Sequence, residues 1–374
     1  MKIGLVLDDT LDTPDGVQQY VIGVGNWLSA NGHEVHYLVG HTIRTDINNI
    51  HSLSRNIKVR FNGNRMSMPL PTSKSKLRAF LAEHKFDVLH VQLPYSPFMA
   101  GRLLQVAPSE TAVVGTFHIL PNSSVARFAN RLLALMNARS AKRFDVVMAA
   151  SEPARIFAKQ VYGLSDRTVP NPIKLAQFAG ARGVTTTTNI VFLGRLVQRK
   201  GSLQLLRAIA YLREHQLSTQ EFKVIIGGKG ELLDKLQSFA DKHNLHDIVR
   251  FAGFIGEAEK AQFLAEADLA VYPSTGGESF GIVLLEGMAA ARGVVLAGNN
   301  PGYSSVMGEL KDQIIDPNDM PAFAGQLAKW LDDPEARQAA AQAQHEYVKR
   351  FDIAVVGATV ERVYNEALQK RANP

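Results

Sequence analysis

The segment Gly276-Gly277-Glu278-Ser279-Phe280-Gly281-Ile282-Val283-Leu284-Leu285-Glu286 decides the fold of this chain. The apolar run at residues 269–272, just before it, is typical of a short buried strand. A strand, a glycine-rich turn and an apolar helix in that order predict a phosphate-binding arrangement, because free backbone N–H groups meet the positive end of the helix dipole. Glu278 is predicted at the mouth of the turn, and Glu286 about two helical turns further on. Because an acid beside an anion site is repulsive unless it binds another group, sugar or ribose hydroxyls are the obvious partners.

The composition indicates two globular domains of ordinary size. The chain has 374 residues, of which 46% are hydrophobic and 20% are charged. It has no cysteine, which excludes disulfides and thiolate chemistry and leaves only histidine and carboxylates as metal ligands. The start of the chain resembles a first strand rather than a signal peptide, and no apolar run approaches the ~18 residues of a membrane span. We therefore expect a cytoplasmic protein.

Strand-like and helical stretches alternate along both halves of the chain, which is the pattern of parallel sheets covered by helices. Strands are predicted at residues 3–7, 35–39, 88–91, 113–117 and 146–149, and then at 190–193, 223–226, 249–251, 269–272 and 294–297. Helices are predicted at about 17–30, 201–215, 230–243, 257–267, 281–292, 336–350 and 353–371. The predicted fold class is α/β, with two Rossmann-like domains facing a cleft. Ligands of such sheets bind at the carboxyl ends of the strands.

Two basic residues follow the predicted strand at residues 190–193. Arg195 lies at the carboxyl end of this strand and Lys200 five residues further on, where both side chains could converge on the oxygens of a diphosphate. A helix-capping pair on a solvated loop is the alternative interpretation. No Asp-x-Asp sequence occurs in a suitable turn, so nothing predicts a metal ion bridging a diphosphate.

Candidate polar residues also follow the strands of the first half. His118 ends the predicted strand at residues 113–117, where it can orient a hydroxyl or support a diphosphate, although a buried structural histidine is also possible. His90 is a similar but weaker candidate. Gly16 lies where the chain turns from the first strand into a helix, so backbone can approach a phosphate closely. Gln18 can donate hydrogen bonds to sugar hydroxyls.

These motifs together resemble the retaining, nucleotide-sugar-dependent glycosyltransferases of family 4. The resemblance covers nearly the whole chain and is carried first by the spacing Glu-x7-Glu around Ser279-Phe280-Gly281. Further matching motifs are Gly194-Arg195-Leu196 with Lys200-Gly201, Thr116-Phe117-His118, and Pro14-Asp15-Gly16-Val17, in which Asp15 replaces a glycine usual in the family. Within the family, the match is nearest to phosphatidylinositol mannosyltransferases.

The resemblance implies the GT-B fold, with different functions for the two domains. It implies an acceptor-side Rossmann-like domain at residues 1–168, a nucleotide-sugar-binding domain at 169–352, and a helix at 353–374 that packs back on the first domain. The implied donor is GDP-mannose or a UDP-hexose, with no cofactor and no metal. The implied catalytic residues are His118, Arg195, Lys200 and Glu278; the donor-binding residues are Gly16, Ile255, Lys260, Ser279, Phe280, Gly281, Ile282, Val283 and Glu286; and the acceptor-binding residues are Gln18 and His118.

Positive charge is concentrated in one part of the first half. Residues 51–143 contain 14 Lys and Arg against three acidic residues, whereas the whole chain has a net charge of +6. An anionic membrane explains this excess better than an ordinary solvated surface. A predicted short helix there has basic and apolar residues in the pattern of an interfacial helix, and the docking residues it suggests are Lys74, Lys76, Leu77, Arg78, Phe80 and Leu81. A surface helix packed on the sheet through the same apolar residues is the alternative. Arg127, Arg131 and Arg139 could continue the patch.

The sequence therefore predicts an enzyme that transfers a hexose to a lipid headgroup such as phosphatidylinositol, as a peripheral protein on the inner face of the plasma membrane. A family 4 enzyme with a soluble or polysaccharide-linked acceptor is the alternative. A sugar-nucleotide epimerase also uses two similar α/β halves, but the carboxylate pair and His118 argue against it. A nucleic-acid-binding protein would explain the basic region but not the carboxylate pair, so we expect no nucleic acid partner.

Overall fold

The computed structural model describes residues 1–13, 15–61, 64–92, 94, 96–121, 124–164, 166–181, 183 and 187–373. Pro14 of the predicted glycine-rich turn lies outside these residues. The chain forms two compact units: the first comprises Met1–Pro172 and Ile353–Pro374, and the second comprises Ile173–Asp352.

The first unit is built on a parallel sheet. Its strands are β1 (Lys2–Leu7), β2 (Glu34–Val39), β3 (Ile50–Ser52), β4 (Asn56–Phe61), β5 (Asn64–Pro69), β6 (Val88–Gln92), β7 (Ala112–Phe117), β8 (Val146–Ala149) and β9 (Arg167–Thr168). Its first helices are α1 (Gly16–Ala30), α2 (Lys74–His84), α3 (Met99–Leu104), α4 (Ser124–Ala141) and α5 (Glu152–Tyr162). The sheet has the order β3-β2-β1-β6-β7-β8-β9, while β4 and β5 form a separate antiparallel pair.

The second unit repeats this design. Its strands are β10 (Thr188–Leu193), β11 (Phe222–Gly227), β12 (Val249–Gly253), β13 (Leu269–Tyr272), β14 (Val294–Gly298) and β15 (Ile314–Ile315). Its helices are α6 (Ser202–Glu214), α7 (Leu233–Lys242), α8 (Glu257–Ala265), α9 (Ile282–Ala290), α10 (Pro301–Met307), α11 (Met320–Asp332) and α12 (Pro334–Val348). The parallel sheet has the order β12-β11-β10-β13-β14-β15.

The central strands are apolar on both faces because helices cover both faces of each sheet. In β1, Ile3 and Leu5 pack with α1, whereas Val6 points to the opposite face and packs with α2 and α3. In β10, Ile190 packs with α6 and α11, and the next residue, Val191, packs with α8 and α9. Alternation along each strand thus divides one continuous apolar run between two cores.

The last helix, α13 (Ile353–Ala372), belongs to the first unit and completes its core. Val360 and Tyr364 are buried among residues of β1 and α1. Gly357 permits the close approach of α13 to α1, because a Cβ at this position would lie 2.4 Å from the ring of Trp27. The predicted fold class, two Rossmann-like domains with a C-terminal helix that returns to the first, is confirmed.

Candidate functional site

The turn between β13 and α9 holds a buried carboxylate between two cations. Glu278 is only 8% exposed, and its Oε1 lies 2.5 Å from Nη1 of Arg199 and 2.8 Å from Nζ of Lys200. Arg199 and Lys200 follow β10, and Glu278 follows the adjacent strand β13. The structure therefore brings Lys200 and Glu278 together at the carboxyl edge of the sheet. It also adds Arg199, which the sequence did not single out.

Backbone contacts hold these two loops together. The carbonyl oxygen of Arg199 accepts hydrogen bonds from the backbone N–H of Thr275 at 3.0 Å and from the hydroxyl of Ser274 at 2.9 Å. Gly201 has a φ of +79°, and a Cβ there would lie 1.8 Å from the carbonyl oxygen of Pro273. Only glycine allows this conformation and this approach without strain. Asn300, at the start of α10, donates to the carbonyl oxygen of Ser274 at 3.1 Å and secures the turn from the other side.

Cations outnumber the carboxylate in this cluster, and the pKa values respond to this imbalance. Burial lowers the pKa of the Lys200 ammonium, and although Glu278 opposes this shift, the nearby Arg199 and Arg195 add to it. Burial alone would raise the pKa of Glu278, but Lys200 and Arg199 more than offset it, so its pKa is lowered. The lowered pKa of Glu278 indicates that the nearby cations outweigh the effect of burial, and a diphosphate would compensate this positive charge.

Glu286 lies in a second, separate ion pair. Its Oε1 is 2.8 Å from Nζ of Lys260, which also lies 2.8 Å from Glu257. Glu286 and Lys260 are both buried. Burial raises the pKa of Glu286, and Lys260 opposes the shift only in part. The two glutamates of the Glu-x7-Glu motif therefore have different cationic partners, Lys200 with Arg199 for the first and Lys260 for the second.

The remaining donor-binding candidates divide into backbone and side-chain positions. Ser279 and Gly281 lie in the turn, and Ile282 and Val283 form the first turn of α9, where N–H groups lack intrahelical acceptors. The Phe280 side chain is buried against Phe351, so its contribution to a ligand would be limited to its backbone.

Ile255 lies between β12 and α8, near the ends of two strands. It is partly buried, and its side chain is 3.1 Å from the position that a Cβ would take at Gly227, the last residue of β11. The preceding residue, Phe254, is 60% exposed and has the ammonium of Lys229 5.3 Å from its ring centroid. An exposed aromatic ring at a strand end is a further candidate for ligand contact.

In the first unit, His118 lies at the carboxyl end of β7 and is buried. Its Nε2 donates to Oε1 of Gln92 at 2.7 Å, and the ring of Tyr20 packs edge-on against it at 4.9 Å. Burial lowers the pKa of His118 to about 3, so its imidazole is neutral at physiological pH.

Gly16 and Gln18 both lie in the first turn of α1, near the end of β1. A Cβ at Gly16 would meet no described atom within 4 Å, so the space before this residue is open in the described part of the chain. Gln18 is buried and donates to the carbonyl oxygen of Thr10 at 3.2 Å. Asp8, directly after β1, is a residue that the sequence did not single out. Its carboxylate accepts from the backbone N–H of Ala100 at 2.8 Å, and burial raises its pKa to about 7.

His90 has a structural role. Its Nδ1 is 2.7 Å from the hydroxyl of Tyr364 on α13, and its Nε2 is 2.6 Å from the hydroxyl of Thr116. Both ring nitrogens are therefore engaged inside the core, which explains why this weaker candidate is not available to a ligand.

The docking surface predicted on α2 requires a correction. Leu77 and Leu81 are 1% and 2% exposed and pack in the core beneath the sheet, while Phe80 is partly buried against His84. Leu77 and Leu81 cannot face a membrane because they are buried in the core, and Phe80 packs on His84 and His51. Only the basic residues Lys74, Lys76 and Arg78 stay exposed, so the alternative interpretation, a surface helix packed on the sheet, describes the apolar face of α2.

Helix α4 shows the opposite arrangement, with apolar side chains outward and polar side chains inward. Asn130 accepts a 2.7 Å hydrogen bond from the hydroxyl of Tyr162, and Ser140 donates to the carbonyl oxygen of Gly101 at 3.1 Å. Both are buried. The outward apolar residues are Val125, Phe128, Leu132, Leu135 and Met136, exposed by 55% to 79%. The exposed residues Arg127, Arg131 and Arg139 lie on the same helix. None of the helices in the described part of the chain is long and apolar enough to span a membrane.

Comparison with solved structures identifies the fold. Sucrose-phosphate synthase from Thermosynechococcus elongatus superposes with a TM-score of 0.75 at 19% identity, covering 99% of this chain and 100% of that chain. HepE of Anabaena, in complex with UDP and glucose, superposes with a TM-score of 0.74 at 16% identity, covering 98% and 99%. The fold is therefore that of the GT-B glycosyltransferases.

Sequence comparison identifies the family. A family model described as Glycosyltransferase Family 4 matches residues 14–177, and one described as Glycosyl transferases group 1 matches residues 178–347. A phosphatidyl-myo-inositol mannosyltransferase of Mycolicibacterium smegmatis is 30% identical over 372 residues, covering 97% of this chain and 93% of that protein. The chain belongs to the family 4 glycosyltransferases, which decides against a sugar-nucleotide epimerase.

Proposed function

We propose that this glycosyltransferase moves a hexose, with retention of anomeric configuration, from a nucleotide diphosphate sugar to a lipid headgroup at the cytoplasmic face of the membrane. The observation that carries the donor part is the buried cluster in which Arg199 and Lys200 share one carboxylate, Glu278. Breaking the bond to the anomeric carbon leaves negative charge on the departing diphosphate. Fixed cations at that position stabilise the transition state more than the ground state.

The other donor contacts follow from the same edge of the second sheet. Arg195 and Lys200 bind the diphosphate, together with the N–H groups at the start of α9. Glu286, oriented by Lys260, accepts hydrogen bonds from the ribose hydroxyls, and Ile255 contacts the base. GDP-mannose and UDP-hexoses are the donors to test, since relatives are named as mannosyltransferases and HepE was solved with UDP-glucose.

The acceptor part rests on His118 in the first unit. Its imidazole is neutral, and its ring hydrogen-bonds to Gln92 through Nε2 and to the side chain of Asn171. Such a group can orient a hydroxyl without adding charge. Gln18, the second acceptor-binding candidate, is buried and donates its amide N–H to the carbonyl oxygen of Thr10, so it would have to change partner to bind an acceptor.

The lipid acceptor is supported by the relatives' name, phosphatidyl-myo-inositol mannosyltransferase, and by α4. A helix in water normally turns its apolar face inward, and contiguous apolar side chains left outward mark a surface that is covered in use. The arginines on α4, within a region of strong positive charge, make an anionic phospholipid bilayer the complementary partner. We therefore assign docking to α4, with the basic residues of α2 adding long-range attraction.

Transfer to lipid can be measured directly. The purified chain is incubated with vesicles containing phosphatidylinositol and with labelled GDP-mannose or UDP-glucose, and label is counted after extraction into organic solvent. We expect label in the lipid fraction with one of the two donors, and none with the Lys200→Ala variant. Lys242→Ala, on the exposed end of α7, is the matched control.

A soluble or polysaccharide-linked acceptor is the second candidate, because the catalytic cluster does not depend on the acceptor. If vesicles stay unlabelled while the donor is consumed in a reaction that needs Lys200, the lipid acceptor is wrong and the soluble acceptor is favoured. If no nucleotide sugar is consumed with any acceptor, the donor assignment itself is wrong.

A further inference from the structure

Three histidines from different elements of the first unit come together in space. They are His36 on β2, His51 on β3 and His84, the last residue of α2. Each offers a ring nitrogen, and these atoms all lie within 4.8 Å of one another. His36 Nδ1 is 2.8 Å from His51 Nε2, and the His84 ring lies 5.3 Å and 4.9 Å from the two other rings.

We propose that His36, His51 and His84 bind one divalent transition-metal ion, with zinc the best match to the ligands. Neutral imidazole is a preferred ligand of zinc, at about 2.0–2.1 Å, and three protein ligands with one open position form a common zinc coordination. Tetrahedral geometry at that bond length separates the ligating nitrogens by roughly 3.3 Å. The 2.8 Å contact must widen slightly and His84, which is only partly buried, must move inward.

The surroundings of His36 match the second shell of a metal site. Its Nε2 lies 2.9 Å from Oε1 of Glu34, and if the ring donates through Nε2, Nδ1 keeps its lone pair for a metal. A carboxylate that fixes the tautomer in this way is the usual partner of a metal-bound histidine. Lys2 lies 2.9 Å from the same oxygen of Glu34 and is the competing cation at the cluster.

One further feature favours a metal ion at this cluster. His84 ends α2, where the helix dipole is negative and favours a cation. The charged groups that face His84 are Glu83, Glu34 and Lys2.

The position of the cluster points to a structural site. Lys2 and Glu34 are the first residues of β1 and β2, so the cluster lies toward the amino ends of the strands, whereas His118 lies at a carboxyl end. A metal there would fasten α2 to β2 and to β3, the edge strand of the sheet. Such a metal ion would stabilise the first unit against unfolding and would leave the binding and reaction of the sugar donor in the second unit unchanged.

The experiment uses the full chain, stripped with a chelator and titrated with zinc ions in a calorimeter at neutral pH. We expect one equivalent to bind and the thermal unfolding midpoint to rise with zinc concentration. His84→Ala and His51→Ala should each weaken binding by at least ~10-fold, and Glu34→Gln by roughly 10-fold through its effect on His36. Cobalt ions at the same site should give the visible absorption of tetrahedral coordination.

The control is His243→Ala combined with His246→Ala, which removes two exposed histidines of the second unit and should leave zinc binding unchanged. His84 is partly exposed, so its replacement is compatible with the fold, and circular dichroism checks this. The proposal is overturned if the stripped chain binds no zinc, or if a folded His84→Ala variant binds one equivalent with unchanged affinity. Loss of binding in the control variant instead would also overturn it.

Discussion

Among single residues, Glu278 gives the sharpest test of the proposed donor site. It forms ion pairs with Arg199 and with Lys200, and Lys200 is one of the two cations assigned to the diphosphate. Glu278→Gln should therefore lower the rate of transfer by ~100- to 1,000-fold, the usual effect of removing one aimed electrostatic contact. The same change should leave the affinity for a nucleoside diphosphate equal or higher, because it removes a competing negative charge.

The contrast between rate and affinity separates a catalytic role from a structural one. Calorimetry measures the nucleoside diphosphate affinity, and single-turnover kinetics measure the transfer. If Glu278→Gln loses both in parallel, Glu278 acts by holding the turn together. Transfer at the unmodified rate would remove Glu278 from the mechanism.

Two buried histidines make the first unit sensitive to acid. Burial lowers the pKa of His90 and His118 to about 3, so as the pH falls from about 6.5 the unfolded chain takes up protons first and stability is lost. Asp8 has the opposite effect on stability. Because its pKa is raised to about 7, its contribution to the free energy of unfolding decreases as the pH rises toward 7. His90→Gln should therefore reduce the loss of unfolding free energy between about pH 7 and about pH 5 by about 2 kcal/mol.

The two tryptophans allow this measurement on one unit. Trp27 lies in the first unit and Trp330 in the second, so in a Trp330→Phe background the fluorescence reports the first unit alone. The matched control is His246→Gln, an exposed position in the second unit. An equal pH dependence in His90→Gln and the unmodified chain would contradict the assignment of the acid sensitivity to His90.

The sequence anticipated some of these residues and missed others for physical reasons. That Lys200 and Glu278 lie close together follows from the sequence, because polar residues after adjacent parallel strands meet at one edge of the sheet. Arg199 was missed because spacing does not show which of two neighbouring basic side chains points inward. His90 and His118 both end a strand, and only the structure shows that Tyr364, 274 residues away, already engages His90.

At the scale of elements, α13 ties the end of the chain to the first unit through Tyr364. Its hydroxyl bonds to His90 inside the core, so Tyr364→Phe leaves a buried ring nitrogen unpaired. Such a loss costs about 1–3 kcal/mol. Urea denaturation followed at Trp27 should show this decrease, whereas Tyr37→Phe, which removes only a 3.5 Å contact with Asn26, should have a smaller effect. If both variants lose the same free energy of unfolding, the hydrogen bond between Tyr364 and His90 does not contribute specifically to stability.

Helix α4 carries the prediction on membrane docking. Replacing Arg127, Arg131 and Arg139 by Ser should lower binding to anionic vesicles by roughly 100-fold at low salt, since each basic residue near the surface contributes about 1 kcal/mol. Adding Phe128→Ser and Leu135→Ser should weaken vesicle binding further. This additional loss should remain at high salt, because salt screens charges and not the insertion of apolar side chains. Vesicle flotation measures both.

The matched control removes the same charge from α2, as Lys74→Ser, Lys76→Ser and Arg78→Ser. We expect it to weaken binding less than the α4 changes, because α2 presents no apolar face. If the α2 variant loses binding while both α4 variants keep it, docking belongs to α2. Periodicity could not distinguish these helices, because both are amphipathic in sequence. Only packing shows that the apolar face of α2 is buried in the core, whereas the polar face of α4 packs on α3 and α5.

At the scale of the whole molecule, the fold was predictable because both sheets have apolar strands separated by helices of ordinary length. Strands such as β1 and β10 contain the apolar runs at residues 3–7 and 190–193, which local pattern alone detects. The antiparallel pair β4 and β5 and the edge strands β9 and β15 were not predicted, since they are short, polar or both. Charge also differs between the halves, with 20 basic and 12 acidic residues in positions 1–180, and this supports assigning the membrane to the first unit.

Binding of a nucleoside diphosphate by the cluster around Glu278 can be measured by calorimetry with UDP, GDP and ADP. We expect one of these to bind the unmodified chain and Lys200→Ala to weaken its binding by at least ~30-fold, because truncating one partner of a buried charge contact costs about 2–5 kcal/mol. Lys242→Ala should bind as the unmodified chain does. Equal affinity in Lys200→Ala, or no binding of any of the three nucleotides to the unmodified chain, would rule out this donor site.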